Sequence, residues 1–166
     1  MKFEGIYTPI VTPYDDNHCI NYDAVEAIVD DLISSGVHGL VVAGTTGEYY
    51  SQEKDERLQL MKTCKEVIGN RLPFVVGIGA IRTEDSVFFA EEAAKVGADA
   101  ILVSTSPYAL PTERENALHA LAIDRAANLP IMLYNYPGRT GAMMGAEYLD
   151  RVARSSNFCA IKESSG

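Results

Sequence analysis

Tryptophan is absent from the 166-residue sequence, and histidine and cysteine are scarce, with three residues of each. The histidines are scattered and show none of the short spacings that metal ligands require. The cysteines are odd in number and far apart, which fits neither a disulfide framework nor a zinc site. These residues are His18, His38, His119, Cys19, Cys64 and Cys159. We therefore expect no bound metal, and reduced thiols.

Basic residues are also few, because 14 lysines and arginines face 23 aspartates and glutamates, for a formal net charge of -9 at pH 7. Such a charge repels nucleic-acid phosphates and anionic lipid headgroups, so we expect neither nucleic acid nor a membrane surface as a partner. No apolar run is as long as a membrane span, and the first residues lack the apolar segment of a secretory signal. These absences predict a cytoplasmic protein.

A dinucleotide-binding fingerprint is incomplete in this sequence. Gly77 and Gly79 form a G-x-G after a predicted strand, but the third glycine and a suitable acidic partner are missing. We therefore expect no nucleotide, and the sequence indicates no other cofactor.

The sequence does contain one pattern that repeats along its whole length, a short apolar strand followed by an amphipathic helix. The segment 39–44 is too short for a helix and rich in β-branched residues, which indicates a strand buried on both faces. The six predicted strands are 3–8, 39–44, 73–79, 100–104, 129–135 and 158–162. The expected boundary residues of the five intervening helices include Asn21, Gly36, Ser51, Thr83 and a capping box of Thr112 and Glu115.

Alternating strands and helices predict a parallel sheet with right-handed crossovers. Two architectures share this pattern, a doubly wound open sheet and a (β/α)8 barrel, and periodicity does not distinguish them. In both, ligands bind beyond the carboxyl ends of the strands. The polar segments at three such ends are GTTGE at 44–48, YNYPGRTG at 134–141 and KESSG at 162–166.

Lys162 ends the sixth predicted strand, directly after the apolar residues 159–161, which we expect to be the inner part of a short buried strand. One interpretation is structural, with the ammonium group in solvent or paired with Glu163. The other is chemical, because a buried amine is a candidate Schiff-base nucleophile. At an ordinary pKa of about 10.4 only about four amines in ten thousand are uncharged at pH 7, whereas burial that lowers the pKa to about 7–8 makes a large fraction nucleophilic.

Hydroxyl groups from two other strand ends are expected near this amine. Tyr134 holds the matching position on the fifth predicted strand, where its phenol is either an aromatic at a sheet edge or a proton relay for imine formation. Thr45 and Thr46 lie between two glycines, where hydroxyls and backbone N–H groups are suited to bind a carboxylate or extend the relay. Taken alone, such a G-T-T-G turn is also consistent with the start of an ordinary loop.

The segments GTTGE, YNYPGRTG and KESSG, in this order and each at a strand end, together with TPIVTPYD near the start, resemble a known family. It is the family of pyruvate-dependent Schiff-base lyases typified by dihydrodipicolinate synthase and N-acetylneuraminate lyase. The resemblance covers the whole chain and favours the barrel. It implies that Lys162 forms an imine with pyruvate or another 2-oxo acid and that Tyr134 shuttles protons. It also implies that Thr45 and Thr46 bind the pyruvate carboxylate and that Arg139 lies near the second substrate.

Two features depart from the family pattern. Many members carry a tandem tyrosine after strand four, one of which reaches into a neighbouring subunit, whereas this chain has SPYALP at 106–111. Ungapped counting back from Tyr134 assigns Tyr108 to this catalytic position, and a register through Pro107 assigns Ala109 instead. A (β/α)8 barrel needs eight strands and about 250 residues, so we expect 1–166 to be a single incomplete barrel domain, a fragment or part of a longer chain.

The residues and the resemblance together predict a class I lyase that acts on carbon–carbon or carbon–oxygen bonds. The first expected reaction is a dihydrodipicolinate synthase-like condensation with aspartate semialdehyde. The second is an aldolase or dehydratase reaction of a 2-keto-3-deoxy sugar acid or sialic acid on the same imine. A non-catalytic 2-oxo-acid-binding protein, or an inactive truncated product, is the alternative of another class. The resemblance also implies a homo-oligomer, either a dimer or a homotetramer.

Overall fold

Six short strands form one parallel sheet in which each strand pairs with its neighbours in chain order. The computed structural model describes residues 1–166. The strands are β1 (Tyr7–Pro9), β2 (Gly39–Val42), β3 (Phe74–Gly77), β4 (Ala100–Ser104), β5 (Ile131–Asn135) and β6 (Phe158–Glu163). The helices are α1 (Tyr22–Ser34), α2 (Lys54–Ile68), α3 (Thr83–Val96), α4 (Glu113–Ala127), α5 (Pro137–Thr140) and α6 (Ala146–Val152). The six predicted strands and five crossover helices are confirmed, and α5 is an addition.

Side-chain contacts cap the starts of α1 and α4. The Asn21 side chain accepts a hydrogen bond from the backbone N–H of Ala24 at the start of α1, as predicted. Thr112 and Glu115 form the predicted capping box of α4, and α3 begins at Thr83. Each contact satisfies N–H groups that have no partner within the helix. None of these helices combines the length and the apolar character needed to cross a membrane.

The predicted start of α2 at Ser51 is wrong. Ser51 ends a short 3₁₀ helix, Tyr49–Ser51, and α2 begins at Lys54 after the N-cap residue Glu53. The carboxylates of Glu53 and Glu56 form a reciprocal capping box there. This pair satisfies two backbone donors at once, so it determines the helix start in preference to the hydroxyl of Ser51.

The sheet has apolar residues on both faces, as expected for parallel strands covered by helices. Its outer face, the one that packs against the helices, belongs to a large cluster to which Leu40, Val42 and Leu133 contribute. The inner face carries a smaller cluster of five buried residues, which are Val41, Val75, Ala100, Leu102 and Tyr134. The side chain of Tyr134 is therefore directed away from the helix layer.

β6 differs from the buried strand that the sequence predicts. Its residues alternate between half-buried and exposed, and both Cys159 and Ile161 are exposed, the latter by 48%. The prediction of a buried segment at 159–161 is therefore wrong for these two side chains. The physical reason is that β6 lies at the edge of the sheet and pairs with β5 alone.

A buried arginine holds the carboxyl end of β3. Arg57, on α2, is only 2% exposed, and its guanidinium donates hydrogen bonds to the backbone carbonyls of Gly77 and Gly79. The guanidinium carbon lies 3.9 Å from the centroid of the Phe89 ring, and burial lowers the pKa of Arg57 to about 9. The Arg57 side chain thus donates to one carbonyl at the end of β3 and to one in the loop that follows.

We expect Arg57→Ala to lower the free energy of unfolding by about 3 kcal/mol, because two carbonyls lose their donors and a cavity forms. Urea-induced unfolding measures the change. Lys54→Ala is the matched control, because the 2.6 Å pair of Lys54 with Asp85 is partly exposed and its removal should cost less than about 1 kcal/mol. An Arg57→Ala protein as stable as the control would contradict this role for Arg57.

Candidate active site

Strand pairing brings three side chains to the inner face at the carboxyl edge of the sheet. Tyr134 on β5 pairs with Lys162 on β6 and, on its other side, with Ser104 on β4. Paired residues of parallel strands project to the same face, so these three side chains share one surface. The structure thus brings together the lysine and the tyrosine that the sequence analysis singled out.

The amine of Lys162 lies against the aromatic ring of Tyr134. Its Nζ atom is 4.2 Å from the ring centroid, a cation–π distance. The lysine is half-buried, and this desolvation lowers its pKa from the ordinary value, against a smaller opposing effect of Tyr136. A lowered pKa increases the uncharged fraction of the amine, which is the form that attacks a carbonyl carbon.

The pKa of the Tyr134 phenol is shifted in the opposite direction, upwards. The residue is 8% exposed, and burial raises its pKa, while the side chains of Ser164 and Thr45 partly offset the increase. The phenol is therefore protonated at neutral pH and can donate a proton or a hydrogen bond. Ser164 was not among the predicted site residues, although its place in KESSG, two residues after Lys162, was a usable signal.

A cavity of about 180 Å³ opens beside Tyr134. Of the predicted site residues, Thr45, Tyr134 and Arg139 line it. The other lining residues were not predicted, and they are Tyr49, Tyr50, Ser104, Pro107, Tyr136 and Thr140. Ser104 and Tyr136 could have been found, because they lie at or just beyond strand ends. Lys162 does not line this cavity and instead contacts the ring of Tyr134.

Arg139 lies on α5, a one-turn helix that the sequence analysis did not predict. Pro137 begins this helix, and Gly141 follows it with a φ of 71°. This order of proline first and glycine last is typical of a helix and was a usable signal. The guanidinium carbon of Arg139 lies 5.6 Å from the centroid of the Tyr136 ring, and its interaction with Tyr136 raises the pKa of Arg139. α5 thereby adds a permanent positive charge to the cavity.

The GTTGE turn is held by residues from two other segments. The hydroxyl of Thr12 and the side-chain amide of Gln52 both donate to the backbone carbonyl of Gly47, at 2.7 and 2.8 Å. Within this turn Thr45 lines the cavity, whereas Thr46 is exposed and does not line it. The structure therefore brings only one of the two predicted threonines to the cavity.

Tyr108 does not reach the cavity of its own chain. It is 90% exposed with a φ of 71°, and the neighbouring Ala109 is exposed as well. The base of the loop is anchored, because the hydroxyl of Ser106 donates to the backbone carbonyl of Ile81 at 2.6 Å. The loop therefore presents a large aromatic side chain to the surroundings of the chain.

These elements define the class of protein: a parallel β/α fold in which a strand-end lysine contacts a buried tyrosine, and this tyrosine lines a cavity that also bears hydroxyls and an arginine. The model of the dihydrodipicolinate synthetase family matches residues 2–166. The chain belongs to this family.

Individual relatives support the same assignment. The 4-hydroxy-tetrahydrodipicolinate synthase 1 of Halalkalibacterium halodurans is 37% identical over 166 residues, which are 100% of this chain and 56% of that protein. The 4-hydroxy-tetrahydrodipicolinate synthase of Lactobacillus acidophilus is 36% identical over 159 residues, or 95% of this chain and 51% of that protein. The chain thus spans about half the length of the curated relatives it matches.

Solved structures confirm the predicted fold class. A dihydrodipicolinate synthase from Acinetobacter baumannii, crystallised with pyruvate, matches with a TM-score of 0.94 and 33% identity, over 99% of this chain and 56% of that one. A catalytic lysine mutant of the Ruminococcus gnavus sialic acid aldolase matches with a TM-score of 0.93 and 25% identity, over 97% and 53%. The sheet of this chain is therefore six strands of a (β/α)8 barrel.

Proposed function

We propose that this chain contributes six strands to a class I lyase that forms a Schiff base between Lys162 and the keto carbon of pyruvate or another 2-oxo acid. The observation that carries the proposal is the pairing of Lys162 with Tyr134, with 4.2 Å between Nζ and the ring centroid. Burial lowers the pKa of the lysine and raises the pKa of the tyrosine. Both directions suit the chemistry, because the amine is more often a free nucleophile and the phenol remains a proton donor.

In the proposed reaction, the uncharged amine of Lys162 attacks the keto carbon, and the carbinolamine oxygen leaves as water. Tyr134 donates a proton to that oxygen and receives it again in the reverse step. Thr45, which lines the cavity, binds the carboxylate of the 2-oxo acid. The protonated imine withdraws electrons from the adjacent carbon, which loses a proton to give an enamine. The enamine carbon then attacks an aldehyde, and the reverse sequence breaks a carbon–carbon bond.

Aspartate semialdehyde is the aldehyde that we propose first. Its support is the name 4-hydroxy-tetrahydrodipicolinate synthase of relatives at 36–37% identity, and the charge of Arg139, which suits a carboxylate on the second substrate. A 2-keto-3-deoxy sugar acid or sialic acid is the second candidate, supported by the likeness to a sialic acid aldolase. A non-catalytic 2-oxo-acid-binding protein would not need Tyr134 as a proton relay. A measurement of turnover therefore distinguishes it from the two candidate enzymes.

We further propose that the active form is a cytoplasmic homo-oligomer, a dimer or homotetramer, built from closed barrels. Relatives about twice as long as this chain support two additional strands. The exposed ring of Tyr108 supports a contact in which it enters the site of a neighbouring subunit. One related structure is described as a monomeric dihydrodipicolinate synthase variant, so light scattering in solution is the direct measurement. An intact mass above that of the 166 residues tests the closed barrel.

Pyruvate added together with borohydride tests the proposed function. We expect an irreversible mass increase of one reduced pyruvyl group per chain, located by peptide mapping on Lys162. Lactate, which has no keto carbon, is the control compound and should give no increase. Turnover of aspartate semialdehyde compared with 2-keto-3-deoxy sugar acids then assigns the second substrate. Intact protein that stays unlabelled would overturn the proposal, and labelled protein that turns over no aldehyde would favour the binding protein.

A further inference from the structure

The last residue pair of β5 and β6 forms a hydrogen-bonded cluster beside the candidate site. Asn135 is 4% exposed and pairs with Glu163 in the sheet. Its amide donates to both carboxylate oxygens of Glu163, at 2.9 and 3.1 Å, and its Oδ1 accepts from the backbone N–H of Met144 at 3.1 Å. The backbone N–H of Ser165 also donates to Glu163, at 2.8 Å. One buried amide thus joins β5, β6 and the segment that leads to α6.

The register of β6 on β5 changes along the pair. Between Ile131 and Met132 the pairing shifts by one residue, so Cys159 is an extra residue on β6. After this bulge, Tyr134 pairs with Lys162. Without the bulge, Lys162 would move by one position and project to the opposite face of the sheet. The observed register therefore brings the amine to the tyrosine, and a shift by one residue would separate them.

The hydrogen bonds from the amide of Asn135 to both carboxylate oxygens of Glu163 belong to the observed register, in which these two residues pair. Such a polar contact favours one register over another, because it is lost when either partner moves by one residue. We propose that Asn135 and Glu163 are positioning residues that hold β6 in the register at which Lys162 meets Tyr134. The chemical use of this register rests on the proposed function, whereas the role of Asn135 and Glu163 in holding the register does not.

Asn135→Asp tests this role, because it replaces the amide donor by a second carboxylate that faces Glu163. Like charges at hydrogen-bond distance repel, and we expect the rate of borohydride-trapped pyruvate adduct formation to fall about tenfold or more. Asn157→Asp is the matched control. The amide of Asn157 donates to Asp124 at 2.7 Å just before β6 begins, so a similar charge conflict there should leave the trapping rate within about twofold.

The double variant Asn135→Asp/Glu163→Gln exchanges donor and acceptor while keeping both side-chain lengths. The new amide can donate to the new carboxylate, and its oxygen can still accept from Ser165. We expect the trapping rate to return to within about threefold of the unmodified protein. A double variant that does not recover, whether or not it folds, would overturn the proposal. So would an Asn157→Asp effect as large as that of Asn135→Asp.

Acetylation of Lys162 is a second measurement, and it needs no pyruvate. Peptide masses report how fast acetic anhydride modifies Lys162 relative to Lys62, which is exposed. We expect Asn135→Asp to move this ratio towards one, and the double variant to restore the original ratio. If the intact protein forms no pyruvate adduct but shows this pattern, the proposed function fails and the positioning role stands. A ratio that Asn135→Asp leaves unchanged overturns the positioning role.

Discussion

Lys162→Arg will abolish the borohydride-trapped pyruvate adduct and reduce condensation to the uncatalysed level. Arginine keeps the positive charge and most of the length, but its guanidinium is protonated at neutral pH and cannot attack a keto carbon. The contact with Tyr134, now 4.2 Å from Nζ to the ring centroid, can be made by a guanidinium as well. A loss of pyruvate labelling in Lys162→Arg would therefore show that Lys162 acts as the nucleophile, and not only as a positive charge. Intact-mass measurement after pyruvate and borohydride checks it.

Lys54→Arg is the control for this substitution, because Lys54 is a partly exposed lysine paired with Asp85. It should label as completely as the unmodified protein. In the unmodified protein, labelling should speed up with rising pH and level off at a lower pH than for an exposed lysine, because burial lowers the pKa of Lys162. Labelling that persists in Lys162→Arg would mean that another amine carries the chemistry.

Tyr134→Phe will slow adduct formation by a factor of about 100 to 1,000, the usual contribution of a positioned proton donor. The substitution removes one hydroxyl and keeps the ring, so the inner-face cluster and the contact with Lys162 both remain. The amine can still attack the keto carbon, but the carbinolamine oxygen loses its proton source. Quenching with borohydride at timed intervals measures the rate, and the final extent of labelling should be unchanged.

The matched control is Tyr148→Phe. Tyr148 is fully buried on α6, and its hydroxyl has no hydrogen-bond partner. Its loss should neither slow labelling nor lower the free energy of unfolding. If Tyr134→Phe labels within about threefold of the unmodified rate, the proton comes from another group, and Tyr134 serves only as an aromatic support for the lysine.

Local rules predicted the elements well and failed where two local signals compete. Asn21 caps α1 as predicted, since its side chain accepts from Ala24 at 3.0 Å. Ser51 and Glu53 both lie before α2, and the sequence does not rank two cap residues so close together. The capping box with Glu56 decides the start in favour of Glu53, because it pairs donors and acceptors in both directions.

The candidate site, too, was predicted in part from local sequence patterns and in part determined by tertiary packing. Lys162, Tyr134 and Thr45 were identified because each stands at or just beyond a strand end, and parallel strands end at one edge, whereas Arg139 was implied by the family resemblance. Ser104 and Tyr136 share this strand-end signal and were missed, and the structure shows that they line the cavity. The exposed position of Tyr108 follows from a loop conformation with positive φ that no local pattern specifies.

The alternation of strands and helices along the chain was determined by the sequence alone, because apolar spacing and helix caps act over a few neighbouring residues, whereas the order of the strands in the sheet was settled by the structure. The tertiary structure decided that Lys162 stands opposite Tyr134, since this pairing follows an irregularity in the register of β6 on β5. The tertiary structure also lowers the pKa of Lys162, because it buries the amine in part. Desolvation of an amine depends on the groups that surround it in space, and these come from distant parts of the chain.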